Sequence, residues 1–237
     1  MKTEYQSIAG VPALVIGEEA EKVWLFVHGK MGCKEEAFSF AEPACSAGYQ
    51  VVGIDLPEHG SRKAAPEKLL PWTAVPELQA VYRAMGQRWR QISLRATSIG
   101  AWLSMLALQE QMIDRALLVS PVVDMENLIE TMMTWAGVTE EELKQKGDIP
   151  TQFGETLSWR YLCWVREHPV QWNISTEILY AGGDDLIPRA VMDAFTAKSG
   201  SGLTVMENGE HWFHTEEQLQ FLREWESICL QTAVHRR

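Results

Sequence analysis

Short apolar segments alternate with longer amphipathic segments along most of the chain. The short segments are almost continuously apolar and end in polar or turn residues: 22–29, 50–57, 92–98, 116–121, 177–183 and 203–209. This pattern is typical of strands that are buried on both faces of a parallel sheet. The longer segments carry apolar residues at helical spacing: 34–48, 74–89, 98–112, 188–200 and 214–231.

The alternation of strands and helices predicts an open α/β fold, in which a mostly parallel, twisted sheet carries helices on both faces. We interpret residues 4–8 and 12–17 as an antiparallel hairpin at the edge of this sheet. The length of 237 residues suits one large domain, so we predict a single domain over residues 1–237.

One interval interrupts the alternation, between the strand that ends at residue 121 and the strand that begins near residue 177. It is too long for a single crossover helix, and long loops without secondary structure are rare in domains. We therefore predict a small, mostly helical cap insertion at about residues 122–175, on the carboxyl side of the strands. Tryptophans are concentrated there, and they either form the core of the insertion or line a substrate pocket: Trp135, Trp159, Trp164 and Trp172.

Composition places the chain among ordinary globular proteins, with 46% hydrophobic and 22% charged residues. Without a long apolar run or an apolar signal core at the N-terminus, we expect no membrane span and a cytoplasmic location. The four cysteines are widely spaced, which favours free thiols over a zinc site. The net charge is −11 and the basic residues are scattered, so we expect no nucleic-acid partner. The acidic segment 139–143 predicts the solvated first turn of a helix with Thr139 as its N-cap.

Polar side chains suited to catalysis follow three of the predicted strands. Ser98 ends one strand, Asp184 and Asp185 follow another, and His211 follows the last. In open α/β sheets, ligands bind outside the carboxyl ends of the strands. Serine is a weak nucleophile at neutral pH, so it needs a base within hydrogen-bond reach and a third group that orients the base. The order Ser, Asp, His therefore predicts a candidate catalytic triad.

The neighbours of Ser98 are small: Ala96 lies two positions before it, and Gly100 and Ala101 follow shortly after. Small residues suit a sharp turn from strand to helix that exposes a nucleophile. Serine is also a good N-cap, so a purely structural turn is the alternative interpretation.

Five motifs in chain order resemble those of the α/β-hydrolase family, and the resemblance covers essentially the whole chain. Residues 96–100 match the nucleophile motif G-x-S-x-G, except that Ala96 replaces the first glycine. Alanine meets the same steric demand nearly as well. The other motifs follow the predicted strands and read HGKMG at 28–32, DLPEHGSR at 55–62, GGDDLIP at 182–188 and NGEHWFH at 208–214.

The resemblance implies an α/β-hydrolase fold with a helical cap, and it assigns roles to residues. Ser98 is the expected nucleophile, and His211 is favoured over His214 as the base. Asp184 is favoured over Asp185 as the orienting acid, because family acids usually precede a proline by four positions, here Pro188. The expected oxyanion donors are the backbone N–H groups of Lys30 and Ile99.

Further expectations concern the motifs that flank this triad. His28 is expected to orient the oxyanion loop, while Asp55 and His59 fix the turn that follows the next strand rather than binding a metal. The residues expected to line the substrate pocket are Met31, Trp102, Trp135 and Trp159.

Together these features predict a serine hydrolase that cleaves a small-molecule ester through an acyl-enzyme, without a cofactor or a metal. The same triad would serve a peptidase, an amidase or a thioesterase, so these reactions remain alternatives. A non-catalytic ligand-binding protein on the same fold is the alternative from a different class.

Overall fold

The computed structural model describes residues 1–232. Its ten strands form two sheets. The strands are β1 (Thr3–Ile8), β2 (Val11–Ile16), β3 (Lys22–Val27), β4 (Gln50–Ile54), β5 (Gln91–Thr97), β6 (Ala116–Val119), β7 (Asp148–Pro150), β8 (Thr156–Ser158), β9 (Thr176–Ala181) and β10 (Gly202–Met206). Eight of them form the central sheet in the order β1-β2-β4-β3-β5-β6-β9-β10, and β7 pairs with β8.

In the central sheet, β1 pairs antiparallel with β2, and β2 pairs antiparallel with β4. All other neighbouring strands, from β4 to β10 in the sheet order, pair in parallel. The predicted mostly parallel sheet with an antiparallel hairpin at one edge is therefore confirmed. Because the strands from β3 onward run the same way, their carboxyl ends meet along one edge of the sheet.

Helices cover both faces of this sheet, as predicted. They are α1 (Ala37–Ser46), α2 (Pro71–Met85), α3 (Ser98–Leu108), α4 (Met125–Ala136), α5 (Glu140–Lys146), α6 (Trp159–Glu167), α7 (Arg189–Ser199) and α8 (Glu216–Thr232). Helices α2 and α3 contact each other on one face of the sheet, and their buried hydrophobic residues belong to one cluster. Helices α1 and α8 contact each other on the other face, and their buried hydrophobic residues belong to a second cluster. No helix within residues 1–232 is long and apolar enough to cross a membrane.

Strand β3 shows why the strands read as continuous apolar runs. Val23, Leu25 and Val27 belong to the hydrophobic cluster on one face, whereas Trp24 and Phe26 belong to the cluster on the other. Successive side chains of a strand point to opposite faces, so a strand covered by helices on both sides must be apolar at every position. The strand therefore lies inside the sheet, with β4 and β5 as its neighbours.

The segment between β6 and β9 contains α4, α5, the β7–β8 pair and α6. The predicted helices are present, but the two-stranded sheet was not predicted, because strands of three residues are too short to show a period of two. Thr139 begins α5 with the predicted N-cap. Its hydroxyl accepts a hydrogen bond from the Glu142 N–H (3.2 Å), and the Glu142 carboxylate accepts one from the Thr139 N–H (3.0 Å).

A buried ion pair joins the last helix to the strand that precedes Ser98. The Nε of Arg95 donates a hydrogen bond of 2.8 Å to one carboxylate oxygen of Glu226, and the Nη2 of Arg95 lies 2.8 Å from the same oxygen in an ion pair. Both side chains are almost fully buried. Burial raises the pKa of the Glu226 carboxyl, although the charge of Arg95 and its hydrogen bond oppose this shift. Arg95 also donates to the hydroxyl of Thr97, the residue before Ser98.

Removing one partner of this pair leaves an uncompensated buried charge. We therefore expect Glu226→Leu to lower the free energy of unfolding by about 3–5 kcal/mol at neutral pH, measured by urea denaturation. Replacing both partners, with Arg95→Met added, should recover most of that loss, because two apolar groups leave no charge unpaired. A double variant that is less stable than Glu226→Leu would contradict this explanation.

Candidate active site

Ser98 lies at the sharp junction between β5 and α3. Its φ of 51° is in the left-handed region, which is uncommon for a residue with a side chain and typical of strained functional turns. The N-cap position belongs to Thr97, and the Ser98 hydroxyl bonds His211 rather than a helix N–H. Thr97, rather than Ser98, is therefore the N-cap residue of α3.

The close approach of α3 to β3 explains the small residues around this turn. A Cβ atom on Gly100 would lie 2.1 Å from the His28 carbonyl oxygen, a distance that no side chain tolerates. Ala96, in the middle of the sheet, is fully buried. The small side chains thus let the helix begin directly above the strands, which raises Ser98 above the edge of the sheet.

The structure brings the three candidate triad residues into one hydrogen-bonded chain. The Ser98 Oγ lies 2.8 Å from Nε2 of His211, and the Nδ1 of His211 lies 2.7 Å from Oδ2 of Asp184. The Asp184 carboxylate accepts a hydrogen bond from Nδ1–H, so Nδ1 keeps the proton of the neutral ring and Nε2, which faces the hydroxyl, carries none. This tautomer can accept the proton of Ser98.

The orientation of Asp184 is fixed by its own backbone turn. Its other carboxylate oxygen accepts hydrogen bonds from the N–H groups of Leu186 (2.9 Å) and Ile187 (3.0 Å). The Asp184 side chain is fully buried, whereas Asp185 is exposed. Of the two acids that the sequence offered, Asp184 is the one that contacts His211.

His211 is likewise the histidine that the structure places beside Ser98. It follows β10 in a loop, and its side chain is only 13% exposed. His214 instead lies 3.2 Å from the Glu210 carboxylate and is largely exposed.

The loop at residues 28–32 faces the nucleophile from the end of β3. A Cβ atom on Gly29 would lie 3.4 Å from the Cβ of Ser98. The Met31 N–H donates to Nε2 of His59 (2.9 Å), and the Gly32 N–H donates to the Gly29 carbonyl (3.2 Å). Within residues 1–232, no backbone carbonyl or side chain accepts a hydrogen bond from the Lys30 N–H.

The second candidate donor lies in the first turn of α3. Ile99 directly follows Ser98, and the first N–H groups of a helix have no acceptor within the helix. Both candidate donors therefore belong to segments next to Ser98: Ile99 follows it in the chain, and Lys30 follows Gly29, which approaches the Ser98 Cβ.

His28 holds the base of this loop as a neutral side chain. Its Nδ1 donates to the Gly29 carbonyl (2.7 Å), and its Nε2 accepts a hydrogen bond from the Leu56 N–H (3.1 Å). Burial lowers the pKa of His28 to about 4, so the ring does not titrate near neutral pH. The ring therefore supports the loop and does not contact Ser98 in this structure.

Asp55 has protein partners on both carboxylate oxygens. One oxygen accepts from the Lys34 N–H (2.9 Å), and the other accepts from the Lys34 ammonium and the Ser61 hydroxyl (both 2.7 Å). Burial by itself raises the pKa of Asp55, but these hydrogen bonds outweigh it and hold the pKa below its usual value. Within residues 1–232, no group of three His, Cys, Asp or Glu side chains is arranged to hold a metal ion.

The four residues predicted to line a substrate pocket differ in their exposure and in the side chains that they contact. Met31 is 83% exposed, whereas Trp102 is buried and stacks on Tyr161 at a centroid distance of 6.0 Å. Trp135 is half exposed against Phe153, and Trp159 is half-buried beneath the Lys144 ammonium. Their role in substrate binding remains a prediction.

Sequence reasoning missed the contacts between the segment at about residues 122–175, which we predict to be a cap, and the rest of the protein. Trp72 of α2 and Trp102 of α3 meet Tyr161 and Trp164 of α6 with ring centroids 6.0–6.3 Å apart. An ion pair also joins Lys30 in the loop to Glu155 in the cap. Spacing along the chain could identify the aromatic face of α6, but it carried no signal for these partners.

Comparison with known proteins supports the fold at low sequence identity. No protein-family model matches the chain, and no curated protein matches it. The esterase Est1E from Butyrivibrio proteoclasticus, solved with ferulic acid, aligns with a TM-score of 0.78 and 16% identity over 98% of this chain and 100% of its own. Alpha/beta hydrolase domain-containing protein 10 from mouse aligns with a TM-score of 0.73 and 12% identity over 98% and 100% of the two chains.

An esterase from Pyrococcus furiosus is also similar, with a TM-score of 0.67 and 15% identity over 96% of this chain and 87% of the esterase. Together with the sheet order, these similarities show that the protein has the α/β-hydrolase fold. The fold implied by the sequence motifs is therefore confirmed.

Proposed function

We propose that the protein is a serine hydrolase that cleaves small carboxylic esters through an acyl-enzyme intermediate. The observation that carries this proposal is the hydrogen-bonded chain from Ser98 through His211 to Asp184. A strained serine at the start of a helix, a correctly oriented base and a buried acid are the parts that acyl transfer requires.

In the first half of the reaction, Ser98 Oγ attacks the ester carbonyl carbon while its proton moves to Nε2 of His211. Asp184 stabilises the resulting imidazolium. The carbonyl oxygen becomes negative, and the N–H groups of Lys30 and Ile99 stabilise it by hydrogen bonding. The bond between the carbonyl carbon and the alcohol oxygen then breaks, and His211 returns the proton to the departing alcohol.

In the second half, water takes the place of the alcohol. His211 accepts a proton from the water as its oxygen attacks the acyl carbon. The bond to Ser98 Oγ breaks, the proton returns from His211 to Oγ, and a carboxylic acid leaves. No cofactor is required at any step.

We propose short-chain and aromatic esters as the substrate class. Two similar solved structures are described as esterases, and one of them holds ferulic acid. The net charge of −11 disfavours polyanionic substrates. Thioesters remain the related alternative, since a thioesterase domain from the curacin biosynthetic pathway also shares the fold, with a TM-score of 0.59.

The direct test is covalent labelling of the wild-type protein with a fluorophosphonate, followed by intact mass measurement and peptide mapping. We expect one adduct, located on Ser98, and turnover of p-nitrophenyl acetate, p-nitrophenyl butyrate or methyl ferulate. A thioester and a p-nitroanilide complete the panel. A folded protein that reacts with neither a large nor a small phosphonate and cleaves no member of the panel would contradict the proposal and favour the non-catalytic ligand-binding alternative.

A further inference from the structure

We propose that His59 is a positioning residue for catalysis, because it holds the loop that supplies the Lys30 N–H. This inference rests on the proposed hydrolase function. His59 lies outside the triad, in the turn after β4, and it acts on the reaction only through the backbone of residue 31.

The loop at Met31 adopts a conformation that needs support. Its φ of 65° is in the left-handed region, where a residue with a side chain is strained. The exposed Met31 side chain makes little packing contact that could compensate for this strain. The hydrogen bond from the Met31 N–H to Nε2 of His59 (2.9 Å) is the contact that fixes this peptide.

The ring of His59 is itself held on its other side. Its Nδ1 lies 2.7 Å from the Pro57 carbonyl oxygen, and the ring is buried against His28 at a centroid distance of 5.1 Å. A carbonyl can only accept, so Nδ1 must carry the proton, and Nε2 is left to accept from Met31. Both ring nitrogens of His59 are therefore hydrogen-bonded, and both bonds require the neutral tautomer with the proton on Nδ1.

The turn that carries His59 is also anchored by residues outside the loop at 28–32. The Glu58 carboxylate accepts hydrogen bonds from the Leu69 N–H and the Lys68 ammonium, both at 2.7 Å. Asp55 binds the Ser61 N–H on the other side, at 2.9 Å. His59 thus transmits the position of a fixed turn to a strained loop.

The Met31 N–H is engaged by His59, whereas the Lys30 N–H has no acceptor among the described residues 1–232. The peptide that His59 holds directly follows Lys30, so its rotation would turn the neighbouring Lys30 peptide away from the developing oxyanion. Loss of an oxyanion donor acts on the transition state and not on substrate binding, so it lowers kcat while KM stays nearly constant.

Two amide substitutions separate the roles of the two ring nitrogens. His59→Gln can place its side-chain oxygen near the former Nε2 position and accept from the Met31 N–H. His59→Asn is shorter, and it can place its side-chain nitrogen only near the former Nδ1 position, toward the Pro57 carbonyl. The two variants have the same functional group and charge, and each serves as the control for the other.

We expect His59→Asn to lower kcat for p-nitrophenyl butyrate by on the order of 10²-fold, with KM changed by less than about 3-fold. A trifluoromethyl ketone, which forms a tetrahedral adduct with Ser98, should bind more weakly by a similar factor. His59→Gln should recover about 10-fold or more of the lost kcat. Equal losses in both variants, or a loss confined to KM, would overturn the proposal.

A measurement on the unmodified protein tests the same inference without relying on the folding of a variant. Long-range ¹H–¹⁵N NMR spectra at neutral pH should show His59 as the neutral tautomer with the proton on Nδ1. A proton on Nε2 is incompatible with acceptance from Met31 and would refute the positioning role. If the wild-type protein hydrolyses esters and both variants match it, the proposed function stands and only the role of His59 fails.

Discussion

We expect Ser98→Ala to lower kcat for ester hydrolysis by on the order of 10⁶-fold and to abolish phosphonate labelling. The substitution removes the only atom that forms the acyl-enzyme bond, and His211 then has no hydroxyl to deprotonate. The fold should persist, because alanine keeps the Cβ at the strained turn and the hydroxyl bonds only His211 among the described residues. Stopped assays with p-nitrophenyl butyrate and intact mass spectra measure the two effects.

The matched control is Ser104→Ala, which removes a hydroxyl from the same helix. The Ser104 hydroxyl is buried and donates to the Gly100 carbonyl at 2.6 Å, away from the triad. We expect this variant to keep labelling and to retain kcat within about 5-fold, since one neutral hydrogen bond stabilises the fold by only about 1 kcal/mol. Residual labelling of the Ser98→Ala protein at the wild-type rate would show that another residue is the nucleophile.

The central sheet could be predicted because its physical requirements are local. Each inner strand, such as β3, must be apolar on both faces, and each connecting helix must be apolar on one face. These demands leave periodic patterns in the sequence. The strand ends then bring Ser98, Asp184 and His211 to one edge, so topology alone predicted that these distant positions would meet.

Other features depend on contacts that leave no periodic pattern. Asp184 differs from Asp185 because the turn directs the N–H groups of Leu186 and Ile187 to one carboxylate oxygen. The sequence motif favoured the same residue, but only through its spacing from Pro188 and without this physical reason. The hydrogen bond between Met31 and His59 could not be predicted either, because it depends on a left-handed backbone at a residue that is not glycine.

The contacts of the predicted cap also leave no pattern in the sequence, because they join residues that are far apart in the chain. Residues on α6 repeat with a helical period, and Tyr161 and Trp164 could be assigned to one face of that helix. Their partners Trp72 and Trp102 lie on two other helices, and the packing angle between these elements decides which rings meet. Such a contact is a property of the assembled fold, so composition correctly identified an aromatic-rich segment but not its neighbours.

The second large effect is expected for Asp184→Asn, which should lower kcat by on the order of 10⁴-fold. The side-chain oxygen of asparagine can still accept from the Leu186 and Ile187 N–H groups, which directs the amide nitrogen toward His211. An amide nitrogen donates, so Nδ1 of His211 must accept and its proton must move to Nε2. The ring then points a donor at Ser98 and cannot take the serine proton.

Asp185→Asn makes the same chemical change at the neighbouring, exposed position and is the control. It should keep kcat within about 2-fold, because an exposed carboxylate near the site is largely screened by water. Long-range ¹H–¹⁵N NMR of His211 supplies a second readout, since only Asp184→Asn should move the proton from Nδ1 to Nε2. Equal losses of kcat in the two variants would mean that negative charge at this edge of the sheet controls the reaction, rather than the tautomer of His211. A loss of kcat confined to Asp184→Asn, together with the change of tautomer, would identify Asp184 as the residue that orients the base.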